Sequence, residues 1–251
     1  MGKILKITLI SIAAIFLISF IWFDFFFWQG NTKTFENALE KAANESDIII
    51  IFNSGGFGTV HLDRAWDFKP IVYGTQDSLT NLGHKVSVIP YYRTEESWLG
   101  KAAYVKEVLF NFPKESKYLA NKLQEFSAAH PDKKIILEGL SNGAAFVTST
   151  MEKIKCCNDK ILAIEFGPPF WVKVDNNPNI LIFNNGKKDA LSNGRVLDLL
   201  CSVGKAPFIM IYTKIIGKPI SFPEAMNVPG HQYTWAEVEP TVSGFLQEKI
   251  N

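Results

Sequence analysis

The sequence predicts an α/β domain: a mostly parallel sheet of about six strands with helices on both faces, preceded by one membrane-spanning helix. Three observations carry this. Short apolar, β-branched runs alternate with amphipathic helical patterns, as strands buried on both faces and their crossover helices should. A charge-free apolar run occupies residues 7–23. The chain has 251 residues, 47% hydrophobic and 20% charged, which suits one such domain with a sizeable core. A formal net charge of +1 gives no electrostatic reason to expect nucleic acid.

At a rise of about 1.5 Å per residue the run 7–23 reaches ~26 Å, slightly short of a ~30 Å hydrocarbon core. Phe25, Phe26, Phe27 and Trp28 continue it as an aromatic belt, and Lys3 and Lys6 precede it. This asymmetry predicts contact with a membrane through residues 4–28, a cytoplasmic N-terminus and an extracytoplasmic remainder. A cleaved signal peptide would need a small-x-small site after the run, where bulky aromatics stand instead, so an uncleaved signal anchor is expected. The expected division is an anchor over 1–30, a polar, helix-compatible connector over 31–46, and the α/β domain over 47–251.

Within the domain, strands are expected at 48–52, 85–90, 134–138, 161–166, 180–184 and 208–212. Helical patterns occupy 114–130 (closed by Pro131), the stretch from 142 to about 155, about 195–202, and 236–249. The three cysteines include an adjacent pair, Cys156 and Cys157, and none has zinc-ligand spacing. No metal or organic cofactor is implied.

Gly139-Leu140-Ser141-Asn142-Gly143 fits a G-x-S-x-G turn, entered by a strand and left by a helix. A serine hydroxyl is a weak nucleophile and needs a base oriented by a carboxylate. Of the four histidines, His61 follows the first Gly-rich loop, and His84 and His130 sit at the amino ends of strands. His231 lies on a loop after the last expected strand. Asp189 falls between Ser141 and His231 in the chain; Glu165 is the reserve acid and Asp175 a weaker one. Leu191-Ser192-Asn193-Gly194 repeats the residues of the turn without its leading glycine or entering strand, so it reads as a loop and helix cap.

These residues resemble the α/β-hydrolase superfamily from about residue 47 to the C-terminus. The resemblance rests on the Ser141 turn, the chain order Ser141, Asp189, His231, and the Gly-rich loop after the first strand. It implies an oxyanion hole formed by backbone amides of Gly56 or Phe57 and of Asn142. The family's His-Gly segment is replaced here by Ser54-Gly55-Gly56, which leaves the register of that loop open. Only 167–179 separates two strands between which many relatives insert a helical cap, so an open site is expected. Phe57, Phe170 and Trp171 either line an acyl or alcohol pocket or serve packing. The implied activity is hydrolysis of an ester-type substrate, a small molecule or a lipid, through an acyl-enzyme. The alternative is a catalytically silent fold serving as a membrane-anchored binding module. A nucleotide-binding reading fails for want of a G-x-G-x-x-G spacing or a Walker lysine.

Overall fold

Isoleucine-rich, β-branched runs favour a pleated surface covered on both sides, and they organise this chain. A computed structural model describes residues 32–250 except 95, 96, 98, 99, 101–103, 105, 106, 109, 157, 158, 174, 175 and 221. The expected membrane segment 4–28 and the acid candidate Asp175 lie outside the described residues. Five strands form one parallel sheet: β1 (Ile48–Asn53), β2 (Val86–Pro90), β3 (Lys134–Leu140), β4 (Ile161–Phe166) and β5 (Ile180–Phe183). Their order is β2-β1-β3-β4-β5. All of β1 and β4 is buried, and so is β3 beyond Lys134.

Alternation along each strand feeds two cores. Ile49, Ile51, Ile135 and Leu137 face α1 (Thr32–Glu45), α3 (Glu115–Ala129) and α4 (Asn142–Met151). Ile48, Ile50 and Ile136 face α2 (Lys69–Asn81) and α7 (Trp235–Ile250). α2 and α7 cross so closely that a Cβ on Gly74 would overlap the Trp235 ring. Chain order reverses between β1 and β3. In an open α/β sheet that switch opens a crevice at the carboxyl ends of the strands, where ligands bind.

The structure corrects three expectations. Among the described residues the sheet has five strands rather than about six, because 208–212 lies inside α5 (Val196–Ile215). A short apolar run fits either period, and here Leu197, Leu200, Phe208, Ile211 and Ile215 continue one helical stripe from the 195–202 pattern. The stretch 31–46 is more than a connector: α1 buries Phe35, Leu39, Ala42 and Ala43 against the sheet. α2 was not expected at all, since its apolar residues are interrupted by Tyr73, Gly74 and Asp77. A short helix, α6 (Phe222–Met226), completes the segment before His231.

Candidate active site

The turn between β3 and α4 carries Ser141 at φ 57° and ψ −121°, a left-handed conformation held by its surroundings. Its N–H donates to the Phe166 carbonyl at 2.8 Å. Both flanking glycines are required by close approach. A Cβ on Gly139 would stand 2.6 Å from the Gly143 carbonyl carbon, and one on Gly143 would overlap the Asn53 oxygen. The helix thus starts directly above the end of β1, and Ser141 sits on the switch crevice.

Asp189 follows β5 through a single 3-10 turn, Gly186–Lys188, and is fully buried. Five hydrogen bonds satisfy its carboxylate. Oδ1 accepts from the backbone N–H groups of Leu191 (2.8 Å) and Ser192 (3.1 Å). Oδ2 accepts from Ser192 Oγ (3.0 Å), Tyr233 O–H (2.6 Å) and His231 Nδ1 (2.9 Å). Burial works against ionisation, but the hydrogen bond and charge of His231, then Tyr233 and the Ser192 amide, outweigh it. The carboxyl is therefore held below the ordinary carboxylate range. An ionised carboxylate can only accept, so the proton of the pair sits on Nδ1. The Tyr233 hydroxyl, buried beside this carboxylate, is pushed far above its usual range and stays a donor.

The His231 loop is tied to the Asp189 loop. Asn185 Nδ2 donates to the carbonyls of Gly230 (2.8 Å) and Gln232 (3.1 Å), and Ala190 N–H to that of Pro229 (2.9 Å). The imidazole packs so tightly on Gly167 that a Cβ there would overlap it. Gly167 follows Phe166, the residue that receives the Ser141 amide, so the same turn touches both side chains' supports. Nε2 of His231 is buried and has no hydrogen-bond partner among the described residues.

The other candidates lie elsewhere. Glu165 accepts from Thr148 Oγ1 (2.8 Å) under α4, and burial pushes its carboxyl up to about 8. His61 pairs with the Tyr92 hydroxyl at 2.8 Å and His130 with Glu40 at 3.4 Å. Among the described residues, no group of three or more His, Cys, Asp or Glu is arranged to hold a metal ion.

The loop after β1 crosses beside the serine: a Cβ on Gly55 would lie 3.5 Å from that of Ser141. Gly56 sits in a tight turn at φ 55°, and Asn142 Nδ2 reaches its carbonyl at 3.4 Å. Asn142 is also the first residue of α4, where an amide N–H has no acceptor within the helix. The Phe57 ring lies 5.6 Å from that of Tyr104 and remains partly exposed. Phe170 and Trp171 meet edge to face at 5.1 Å, and the Phe170 N–H donates to Leu191 O (3.1 Å), within the turn that holds Asp189.

Arg93 escapes the sequence reading. It follows β2, is 4% exposed, and lies over the rings of Tyr104, Phe112 and Phe146 at 5.4–5.7 Å. Its Nη2 donates to Ser54 O (2.6 Å), its Nη1 to Asn142 O (3.1 Å), and its N–H to Gly58 O (3.1 Å). One guanidinium therefore joins the loop after β1 to the start of α4. Tyr233 and Ser192 are likewise unforeseen. Arg93 and Tyr233 act across 39 to 49 residues of sequence, whereas Ser192 acts on Asp189 from three residues away, within a loop that has no regular pattern to mark it.

No protein-family model and no curated protein matches this chain. Among solved structures it is similar to the Trichoderma reesei cutinase in complex with a C11Y4 phosphonate inhibitor, with TM-score 0.49 and 17% identity over 88% of this chain and 90% of that one. It is also similar to an acetylxylan esterase structure at 0.90 Å resolution, with TM-score 0.44 and 11% identity over 81% and 98% of the two chains. At such values neither likeness assigns a function, and the chemistry rests on the geometry of the site itself.

Proposed function

We propose that this chain is a serine hydrolase of the α/β-hydrolase type, cleaving carboxylic esters through an acyl-enzyme at a membrane surface. The carrying observation is the buried, fully hydrogen-bonded Asp189 that holds His231 by Nδ1, together with Ser141 at positive φ on a strand-to-helix turn whose amide donates to Phe166, the residue before the glycine on which the imidazole packs. In the first step Ser141 Oγ attacks the ester carbonyl carbon while His231 Nε2 accepts the hydroxyl proton. Asp189 orients the ring and stabilises the imidazolium. The oxyanion is met by the amide of Asn142 and that of Gly56 or Phe57, each such donor being typically worth about 3 kcal/mol of barrier. Collapse breaks the ester C–O bond, and His231 returns its proton to the departing alcohol. Water, deprotonated by the same nitrogen, then cleaves the acyl–Ser141 bond and restores the serine. Phe170 and Trp171 offer an apolar wall to the acyl or alcohol group. Residues 4–28 tether the domain to the bilayer, with the N-terminus cytoplasmic.

Hydrolysis of short-chain p-nitrophenyl esters by the full-length chain and its Ser141→Ala variant tests this. Turnover should be present in the first and lost in the second at unchanged thermal stability. Equal turnover in both would remove Ser141 from the chemistry. A folded chain without turnover would favour a silent fold serving as a binding module.

A further inference from the structure

Helix α5 carries its apolar side outward. A surface helix of a globular domain normally turns that stripe to the core. Here Leu197, Leu200, Phe208, Ile211 and Ile215 are 60–78% exposed, while Ser202 and Ala206 are buried. At about 100° per residue those five side chains share one arc of roughly 80°. Lys205 and Lys214 lie on its two flanks by helical position, and a lysine so placed can lay its stem along an apolar strip with its ammonium group in the headgroup layer. The one acid of the helix, Asp198, is paired with Arg195 at 2.6 Å, so the flanks stay net positive. An apolar arc edged with lysines complements a bilayer surface of anionic headgroups.

Position adds to this. α5 is inserted between Asp189 and His231, and the ring of Phe170 stands 3.1 Å from where a Gly194 Cβ would be. Phe170 and Trp171 are 48% and 49% exposed, and Phe170 is held between the Asp189 loop, through Leu191 O, and Gly194, two residues before the helix. The chain also carries the charge-free run 7–23 ahead of α1, the segment proposed above to tether the domain to a bilayer. α5 is long and apolar enough to cross a membrane by length and composition. Lys205 at its middle and the docked Ser202 and Ala206 instead favour an orientation in the membrane plane.

We infer that α5 lies in the headgroup region of an anionic bilayer, apolar arc down, turning the rim of the Ser141 site toward the membrane. The substrate would then be an ester carried in that bilayer; this last clause alone rests on the serine-hydrolase reading.

Two native cysteines provide the test. Cys201 is exposed on α5, and Cys156 is exposed in the connection that enters the amino end of β4, away from the carboxyl ends of the strands. Full-length chains retaining one or the other (the remaining cysteines changed to serine) are labelled with an environment-sensitive bimane. They are then bound to phosphatidylcholine–phosphatidylglycerol vesicles containing nitroxide lipids. The Cys201 probe should shift to the blue and be quenched, more by a nitroxide near the headgroup than by one at the chain end. The Cys156 probe should do neither. Adding Phe208→Glu and Ile211→Glu to the Cys201 chain should abolish the quenching without lowering its melting temperature. Absent quenching at Cys201 in vesicle-bound chain, equal quenching at both sites, or quenching that survives the glutamates would overturn the inference. So would a blue shift that grows with protein density without quenching, which would assign the face to a second copy. None of these readouts depends on Ser141, so a chain that docks but does not hydrolyse esters would contradict only the substrate clause.

Discussion

Asp189 and Phe208 belong to the same stretch between the last strand and the last helix, yet their surroundings are opposite. Asp189 is a buried charge with five hydrogen bonds; Phe208 is a large apolar side chain 74% exposed. A buried carboxylate is tolerated only when its partners are in place, so the first region is completed from within the molecule. An exposed apolar arc has no partner inside it, so the second is completed from outside. The contrast separates what positions the chemistry from what brings it to a surface.

The sharpest way to break the first half is Asp189→Asn. The amide presents a donor where His231 Nδ1 needs an acceptor, which favours the wrong tautomer. Ester turnover should fall by about four orders of magnitude, read as kcat on a soluble ester, with the fold intact by circular dichroism. A loss under tenfold would remove Asp189 from the catalytic unit.

Arg93→Met comes next. It releases the carbonyls of Ser54 and Asn142 and lets the two oxyanion segments drift apart. kcat should drop by roughly a hundredfold, the cost of a misplacement of about 1 Å, with KM for a short ester little changed. Arg93→Lys should recover only part of this, since one ammonium cannot span both carbonyls in a fixed fork. A KM effect alone would contradict the positioning role.

Stability against pH sharpens the contrast with Asp189. Burial pushes Glu115, Glu138 and Glu165 each up to about 8. Their folded-state values are raised, so the folded chain holds more protons than the unfolded one between about 4.5 and 8. This contribution is fully present below about 4.5 and is lost as pH rises through about 8. The melting temperature should therefore decline across that interval. Glu138→Gln should flatten the decline, gaining roughly 4–5 kcal/mol at pH 8 and nothing near pH 4. A melting temperature that rises across the same interval would contradict ionisation-opposing burial.

Tyr233→Phe is the smallest change. It removes one of five donors to Asp189, and kcat should fall roughly tenfold, the lower end of the roughly 1.5–3 kcal/mol of a hydrogen bond to a charged group. Unchanged kcat would mean the other four donors suffice.

Much of the frame is legible in the sequence because it is written locally. Ile48, Ile49, Ile50 and Ile51 mark a buried strand without any knowledge of the neighbours. Gly139 and Gly143 mark a turn whose backbone admits no Cβ. The chain order of Ser141, Asp189 and His231 names a set of which the structure brings Asp189 and His231 into contact. What escapes is written across the fold. Arg93 matters because of Ser54 and Asn142, Tyr233 because of Asp189, and neither spacing has a local signature. The run 208–212 misleads because five apolar residues fit a buried strand as well as an exposed helical face. The choice is made by the continuation of the same helical stripe from Leu197 and Leu200 through Ile215.

The most direct test of the central claim is covalent labelling of the full-length chain with a fluorophosphonate, followed by peptide mapping of the adduct. The expected result is a single phosphonylated residue, Ser141, and no adduct in the His231→Gln variant, where the base is missing. A folded chain that takes no label, or takes it equally without His231, would contradict the hydrolase assignment.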